Sequence, residues 1–308
     1  MRGKFQIYLV RNNAPSVESL WVERLEFLTG FTKDDMETAT FNKFREIVYE
    51  KSGISLGKGK EALVSARVGK RMRALEIEDY KAYLQYLLSD KSGDEIVQLI
   101  DAISTNVTSF FRESDHFEFI KPVVSEWLSQ KQRRFRFWSA ACSTGEEPYS
   151  LAMTLLETMK EHSNQTDIKI LATDISTGVL GRCMAGTYTK EKLENVPSVY
   201  RKLYFDESLT DHGVSYTIKK ALKDLIVFQR FNLIRQTFPM RGPFDMILCR
   251  NVMIYFDQVV RKNLIKNFHH LLRKGGYLIV GHAESLAGLE GGFRVVRPSI
   301  YVKHENGK

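Results

Sequence analysis

Apolar residues recur at three- and four-residue intervals between residues 41 and 103, which is the spacing of one helix face. Three groups share this pattern: Phe41, Phe44, Ile47 and Val48, then Tyr80, Tyr83, Leu84 and Leu87, then Ile96, Leu99, Ile100 and Ile103. No convincing strand pattern interrupts them before about residue 115. The pattern predicts an all-helical domain over residues 38–115. It is preceded by a lead-in, residues 1–37, to which we assign no role.

After Pro122 the pattern changes to short apolar runs separated by helical ones. The runs that we interpret as strands are 135–141, 168–173, 244–249, 277–280 and a terminal strand or hairpin at 293–302. Helical runs begin at Pro148 and Val179, and a third starts near Val259 and is expected to end at Lys274 and Gly275. Strands alternating with helices predict an α/β domain over residues 116–308, built on a mostly parallel, doubly wound sheet.

One segment, from about residue 187 to residue 232, breaks this alternation. It contains two strand-like runs, 214–218 and 225–231, and Asp211-His212-Gly213 supplies a turn before the first. We interpret the segment as a small antiparallel β insertion in the α/β domain.

The composition is that of a soluble globular protein, with 43% hydrophobic and 27% charged residues. No run approaches the roughly 20 apolar residues that cross a bilayer, and no secretory leader is recognisable at the start. The three cysteines are too few and too scattered for a disulfide framework or a four-ligand zinc site. We therefore expect a cytoplasmic protein with reduced thiols and no direct membrane insertion.

The net charge of +8 is concentrated in one stretch. Between Lys58 and Arg73 six basic residues face a single acid, and Arg67, Lys70 and Arg71 fall on one helix face. A solvated surface is the commonest explanation for such a face, and an acidic partner is the other. Nucleic acid is disfavoured, because the stretch holds no aromatic residue to stack on bases.

Polar residues follow the first two predicted strands, at the edge where open α/β sheets bind ligands. Thr144 and Glu147 have the spacing of a helix capping box, yet the acid also suits a cationic or hydroxyl-rich ligand. Asp174 ends the second strand, where it would accept bonds from ribose hydroxyls or cap the next helix. No G-x-G-x-x-G fingerprint is present, which disfavours a nicotinamide dehydrogenase.

The third strand runs into Cys249-Arg250-Asn251 and, a few residues later, Tyr255. Polar side chains clustered just past the carboxyl end of a strand are better explained by ligand binding than by packing.

Six separated segments together resemble the CheR-type chemotaxis methyltransferases, which methylate glutamates on bacterial chemoreceptors. They are TNVTSFFRE (105–113), WSAACSTGEEPYS (138–150), LATDIS (171–176), FNL (231–233), GPFDMILCRNVMIYFD (242–257) and GHAES (281–285). They occur in the order of that family, and the resemblance covers residues 40 to 303.

The resemblance implies a helical receptor-recognition domain followed by a class I, Rossmann-like methyltransferase domain that uses S-adenosylmethionine, leaves S-adenosylhomocysteine and needs no metal. The cofactor-binding residues that it implies are Asn106, Thr108, Arg112, Glu147, Asp174, Asn232, Leu233, Cys249 and Arg250. Arg112 and Tyr255 correspond to the residues around the transferred methyl and are the predicted catalytic residues. Similar proteins dock their helical domain on glutamate-rich receptor helices, which assigns Arg67, Lys70 and Arg71 to partner binding.

The predicted chemistry agrees with these residue types. A glutamate side chain, with an ordinary pKa of about 4.3, is already an anion at neutral pH, so attack on a sulfonium methyl needs no general base. What remains is to align carboxylate oxygen, methyl carbon and sulfur. The absence of histidine from the predicted catalytic residues is therefore expected.

One departure from the family concerns the β insertion. Some members bind a receptor's C-terminal pentapeptide through a glycine-containing loop of this insertion, whereas residues 206–213 here hold one glycine and three acids. This argues against a pentapeptide tether. Two alternative functions stay open: a catalytically idle cofactor-binding adaptor, and a methyltransferase for another carboxylate, a small acid or nucleic acid.

Overall fold

The computed structural model describes residues 36–57, 59–210, 213–289 and 291–304. The lead-in predicted for residues 1–37 lies outside these ranges except for its last two residues, and so do Asp211 and His212 of the insertion turn. Within the described ranges no helix is both long and apolar enough to cross a membrane.

The chain divides into two compact units. The first combines the residues up to Phe44 with Gly57–Lys91, and the second combines Arg45–Leu56 with Ser92–Lys308. Helix α1, Thr38–Ser52, contributes to both units, because its residues after Phe44 belong to the second. This division does not test the domain boundary predicted near residue 115, which stays a prediction.

The first unit is helical, as its apolar spacing predicts. Besides the start of α1 it holds α2, Glu61–Ala74, and α3, Tyr80–Ser89. The apolar residues of α2 and α3 that its core buries are Val64, Val68, Met72, Tyr80, Tyr83 and Leu87. Asp79 caps α3 by accepting the Ala82 N–H at 2.9 Å, which satisfies one of the free donors at the helix start. Burial at four-residue intervals along α2 makes its other faces available to solvent.

The second unit contains every strand among the described residues. The strands are β1 Arg134–Ser139, β2 Asp167–Asp174, β3 Thr187–Thr189, β4 Phe205–Thr210, β5 Gly213–Ile218, β6 Ile226–Arg230, β7 Phe244–Cys249, β8 Leu272–Val280, β9 Phe293–Arg297 and β10 Ile300–Lys303. Its helices are α4 Asp94–Ile103, α5 Ser114–Ser129, α6 Glu146–Thr158, α7 Thr177–Ala185, α8 Ser198–Tyr204, α9 Lys220–Lys223 and α10 Gln258–Leu271. Helices alternate with strands along this unit, as the sequence predicts.

Seven strands form one sheet in the order β6-β2-β1-β7-β8-β10-β9. The first five are parallel to one another, and the terminal hairpin adds β10 and β9 antiparallel. From β1 the chain builds outward to β2 and β6, and it then returns to build β7 and β8 on the other side of β1. The strand order therefore switches between β1 and β7, and the predicted doubly wound sheet is confirmed.

The small antiparallel sheet is also confirmed, but its membership differs from the prediction. Its order is β3-β5-β4, with β4 as one edge strand. The run 225–231 is not part of it, because β6 pairs parallel with β2 at the edge of the large sheet. Local sequence does not distinguish the two placements, since a short apolar run such as 225–228 fits an edge strand of either sheet.

The end of α10 is a second difference. The helix ends at Leu271, and Lys274 and Gly275, predicted as its last residues, lie inside β8. Gly275 has φ of +68°, a conformation that a helix end and an irregular strand both favour. Gly275 therefore has the positive φ that a helix-ending glycine would have, but it lies inside β8 and not at the end of α10.

The core lies on both faces of the large sheet. All six residues of β7 are buried. Met246 and Leu248 pack in an apolar cluster on one face, whereas Ile247 and Cys249 pack in a cluster on the other. Successive side chains of a strand point to opposite faces, so both faces are covered and polar chemistry is left to the strand ends.

Trp138 belongs to the second apolar cluster, the one that also holds Ile247 and Cys249. Its substitution tests how much this cluster contributes to stability. Its indole is fully buried, donates to the Thr173 hydroxyl at 2.9 Å and lies 5.3 Å from the Phe268 ring. We expect Trp138→Ala to lower the free energy of unfolding by about 3–5 kcal/mol in urea titrations, because it removes a large buried ring and leaves a cavity. Val227→Ala, at a position of β6 that is 55% exposed, is the control and should change it by less than about 0.5 kcal/mol. A loss below 1 kcal/mol (about the size of a surface change) for Trp138→Ala would contradict this role.

Candidate functional site

The three central strands β2, β1 and β7 end at one edge of the sheet, here called the carboxyl edge. β2 ends at Asp174, β1 at Ser139 and β7 at Cys249, and the ladder pairs Ser139 with Ala172 on one side and Leu248 on the other. The loops that follow these strands therefore meet at the point where the strand order switches. In open α/β sheets this is where ligands bind.

The loop after β1 is tightly folded. Ser143 has φ of +47°, and Gly145 has φ of +98° and is the N-cap of α6, without any side-chain capping bond. The Thr144 hydroxyl donates to Glu146 Oε2 at 2.6 Å. The capping box that the spacing of Thr144 and Glu147 allows is therefore not formed, because a glycine holds the cap position and the threonine bonds to the other acid.

Asp174 joins the loops after β1 and β2. Its Oδ2 accepts the Ser143 N–H at 2.8 Å, and its Oδ1 accepts the Ser176 N–H at 3.0 Å. Burial raises the pKa of this carboxyl, although the backbone donors oppose the shift. The residue that caps α7 is Ser176, so the capping alternative for Asp174 is wrong. The Ile175 backbone N–H also acts on this carboxylate. A carboxylate offers about four acceptor positions, so capacity for a ligand hydroxyl remains.

Arg250 occupies the centre of the edge. Its side chain is 2% exposed and lies 3.0 Å from Glu147 Oε2 and 3.0 Å from Glu113 Oε2. Arg250 donates a third hydrogen bond to the Arg112 carbonyl. Glu147 Oε1 accepts the Ser139 hydroxyl at 2.7 Å. One cation thus holds together the loop after α4, the start of α6 and the loop after β7.

The pKa values of the two carboxyls shift in opposite directions, although Arg250 acts to lower both. Burial raises the pKa of Glu147 in spite of Arg250 and Ser139. For Glu113 burial also acts upward, but Arg250, the Asn251 amide and the His282 N–H outweigh it, and the pKa is lowered. Glu113 is therefore an anion at neutral pH and anchors three segments of the site.

Glu113 and Glu284 are the organising residues that the sequence did not single out. Glu113 Oε1 accepts from Asn251 Nδ2 and from the His282 N–H, each at 3.2 Å. Both acids lie within the segments TNVTSFFRE and GHAES, which the family resemblance had already identified. Neither was singled out, because an acid that only accepts hydrogen bonds from backbone and side chains leaves no distinct sequence pattern.

Glu284 shapes the loop after β7 (residues 250–257), here called the catalytic loop because it carries the predicted catalytic residue Tyr255. Its Oε1 accepts the Met253 N–H at 2.7 Å, and its Oε2 accepts the N–H groups of Asn251 at 2.8 Å and Gly281 at 2.6 Å. Tyr255 ends the 3₁₀ turn Met253–Tyr255 inside this loop. A buried carboxylate thus fixes the backbone that carries the predicted catalytic tyrosine.

The segment with Asn106, Thr108 and Arg112 lies over the loop after β1. The Ser143 hydroxyl donates to the Asn106 carbonyl at 3.0 Å, and Arg112 Nη1 donates to the Val107 carbonyl at 2.8 Å. Lys192 of the insertion reaches the Thr108 carbonyl at 3.4 Å. These predicted residues are therefore brought to the carboxyl edge.

The remaining predicted residues of the cofactor site reach the edge by different routes. Asn232 lies two residues after the end of β6 and is half-buried, and its Nδ2 donates to the Lys51 carbonyl at 2.7 Å. The side chains of Leu233 and Cys249 are buried in the second apolar cluster. A ligand at the edge would therefore meet these two through their backbone groups.

The predicted partner-binding residues belong to the first unit. Arg67, Lys70 and Arg71 are on α2 of the first unit, with Lys70 exposed and both arginines partly exposed.

Glu113, His116 and His282 place possible metal ligands within 4.8 Å of one another. The Arg250 guanidinium already contacts the same Glu113 oxygen, so a divalent cation there would meet like charge.

His116 is fully buried, and its pKa is lowered to about 4 by burial and by Arg250. It is therefore neutral at physiological pH and adds no charge to the network.

Comparison with known proteins agrees with this geometry. Residues 39–104 match the all-alpha domain of CheR methyltransferases, and residues 106–302 match their SAM binding domain. The chain belongs to the CheR methyltransferase family. It is 36% identical to a chemotaxis protein methyltransferase of Borreliella burgdorferi, over 89% of this chain and 96% of that protein. It is 35% identical to the chemotaxis protein methyltransferase of Escherichia coli, over 86% and 91%.

The match of this CheR chain to the SAM binding domain spans every loop of the carboxyl edge described above. The predicted architecture, an all-helical N-terminal domain before a methyltransferase domain with a small β insertion, is thereby confirmed. S-adenosylmethionine is the ligand expected at the edge, and the acids and amides there are hydrogen-bond acceptors and donors that suit a nucleoside and an amino acid group.

We expect Glu113→Gln to lower the free energy of unfolding of this CheR protein by about 3 kcal/mol at pH 7, because it leaves Arg250 with one fewer buried partner. The lowered pKa of Glu113 means that its contribution is complete above the ordinary carboxyl pKa and is lost as pH falls through the lowered value. The difference from the unsubstituted protein, measured by urea titration, should therefore shrink below about pH 4.

Glu118→Gln is the matched control for this substitution. Glu118 pairs with Lys121 on the surface of α5, and its side chain is 65% exposed. We expect a change of less than about 1 kcal/mol. An equal effect of the two substitutions at pH 7 would show that the buried network does not stabilise the fold.

Proposed function

We propose that the protein is a protein-glutamate O-methyltransferase. It transfers a methyl group from S-adenosylmethionine to glutamate carboxylates in the cytoplasmic helices of chemoreceptors and leaves glutamate methyl esters and S-adenosylhomocysteine. The observation that carries the proposal is the coincidence of the CheR SAM-binding match, residues 106–302, with the loops gathered around Arg250 at the carboxyl edge. The names of the relatives, chemotaxis protein methyltransferases, supply the acceptor class.

The reaction consumes charge, since a carboxylate and a sulfonium become an ester and a thioether. A site for such a reaction has no proton to remove and should stabilise neither reactant's charge strongly. The carboxyl edge fits this requirement in one respect: the positive charge of Arg250 is already engaged by Glu113 and Glu147, so it does not bind the acceptor carboxylate. The work left to the protein is alignment of three atoms.

The proposed roles are those that the resemblance to the CheR family implies for these residues. Asp174 accepts from the ribose hydroxyls, and Asn232 with the backbone at Leu233 lies beside the adenine. The methionine part of the cofactor is held by Glu147 and by the segment Asn106–Arg112, with backbone groups of Cys249 and Arg250 along it. Arg112 and Tyr255 flank the transferred methyl, where Tyr255 orients the acceptor oxygen by a hydrogen bond.

Replacing Tyr255 by Phe tests the last role. We expect turnover to fall about 10- to 100-fold, the value of one hydrogen bond to a charged group, while affinity for S-adenosylhomocysteine stays nearly unchanged. Initial rates with labelled cofactor and calorimetric titration of the product measure the two quantities. Tyr86→Phe on α3 is an exposed control. Lost cofactor affinity together with normal turnover would contradict the assignment.

The chemical nature of the product tests the acceptor. Methyl-labelled cofactor is incubated with the protein and receptor cytoplasmic fragments, and the labelled fragment is treated with mild base. We expect the label to leave as methanol, as carboxyl esters do. Base-stable label would assign another acceptor, and cofactor binding without any transfer would favour the idle adaptor.

The basic face of α2 is proposed to dock on the acidic receptor helices. Arg67→Glu combined with Arg71→Glu should raise the KM for receptor fragment roughly tenfold at low salt, and the effect should shrink as salt screens the charges. Lys91→Glu changes the charge elsewhere in the same unit and is the control. An unchanged KM at low salt would contradict the docking role of this face.

A further inference from the structure

A short segment of the second unit, residues 49–55, contacts two separate loops of the carboxyl edge. It consists of the last turn of α1 and the irregular run that follows it, and it is here called the strap. One loop, residues 231–243, leaves β6 and carries Asn232. The other is the catalytic loop, residues 250–257, which leaves β7 and carries Tyr255.

The strap holds the first loop by a hydrogen bond and by close packing. The Lys51 carbonyl accepts from Asn232 Nδ2 at 2.7 Å. Gly53 lies against Ile234, and a Cβ added to Gly53 would lie 2.3 Å from Ile234 Cγ2. Gly53 also has φ of +72°, where a side chain is strained. Only glycine allows the strap to approach this loop so closely.

The strap holds the catalytic loop at two further points. The Ser55 N–H donates to the Tyr255 carbonyl at 2.8 Å. The Tyr49 hydroxyl donates to Asp257 Oδ2, while Asp257 Oδ1 accepts the Val260 N–H and so caps α10. The position of Tyr255 along its loop is thus fixed from outside the loop.

The sheet itself does not tie these two loops together. β2 and β1 lie between β6 and β7, so the strand ends are separated by three strand spacings, about 14 Å. The strap bridges this distance with one continuous piece of backbone.

We propose that the strap is a positioning element that couples the nucleoside end of the cofactor site to the methyl-transfer end, with Gly53 and Ser55 as its positioning residues. The proposal rests on the proposed function, which gives Asn232 and Tyr255 their roles. A bound nucleoside that orders the Asn232 loop orders the strap, and the strap then holds Tyr255. A misplacement of about 1 Å at a reacting group costs on the order of 100-fold in rate.

Ser55→Pro removes the N–H that Tyr255 accepts, and Ser55→Ala keeps it. Because the Ser55 side chain is exposed, the alanine variant should behave like the unsubstituted protein. We expect Ser55→Pro to lower kcat at least tenfold, with affinity for S-adenosylhomocysteine within threefold and the thermal midpoint within a few degrees. A merely structural role would lower the thermal midpoint and the affinity together.

Gly53→Ala is the second variant and keeps the test decisive if Ser55→Pro does not fold. It should weaken binding of S-adenosylhomocysteine and lower kcat, because the added methyl displaces Ile234 beside Asn232. Gly57→Ala is its matched control, since a Cβ at Gly57 meets no atom within 4 Å. Equal behaviour of the two alanine variants would overturn the packing role of Gly53.

Amide hydrogen exchange on the full chain reports the coupling directly. Saturating S-adenosylhomocysteine should slow exchange of the peptide that contains residues 53–56 at least tenfold, and unchanged exchange overturns the coupling. Failure of the unsubstituted protein to bind the nucleoside or transfer methyl groups overturns the proposed function and the role of the strap with it. Normal binding and transfer, with Ser55→Pro equal to Ser55→Ala in kcat, overturns the strap alone.

Discussion

The Arg250 guanidinium is almost completely buried, and its two ion pairs fix the positions of Glu113 and Glu147 beside it. A buried charge is tolerated only when its partners are in place, and removing one partner leaves an uncompensated charge in a medium of low polarity. Glu113 follows α4, Glu147 begins α6, and Arg250 follows β7. The three segments must therefore assemble together, and the site is complete only in the folded second unit.

Carboxylates organise the rest of the edge in the same manner. Asp174 accepts backbone N–H groups from two loops, and Glu284 accepts several from the catalytic loop. These acids accept hydrogen bonds from the backbone and relay no protons, which fits the proposed reaction, whose nucleophile is already ionised. Their bonds are formed before any ligand arrives, so little reorganisation is left to the moment of transfer. The strap, residues 49–55, also fixes backbone, because its Ser55 N–H donates to the Tyr255 carbonyl.

The central strands of the large sheet, such as β7, were predictable because they are buried on both faces and read as apolar runs. β6 was misplaced, since its sequence pattern fits an edge of either sheet. The alternatives for Glu147 and Asp174 could not be resolved from spacing alone. The structure gives the cap positions to Gly145 and Ser176, whose backbone conformations depend on the loops packed against them.

The sequence by itself determined the alternation of helices and strands, the family, and the segments that surround the site, because periodicity and motif order are local or sequential properties. Only the tertiary structure decided which acids pair with Arg250, that Glu113 and Glu284 hold the loops, and that the strap reaches both Asn232 and Tyr255. These contacts join residues distant in the chain. Their partners are chosen by burial, since a polar group taken out of water binds whichever group the fold places within reach.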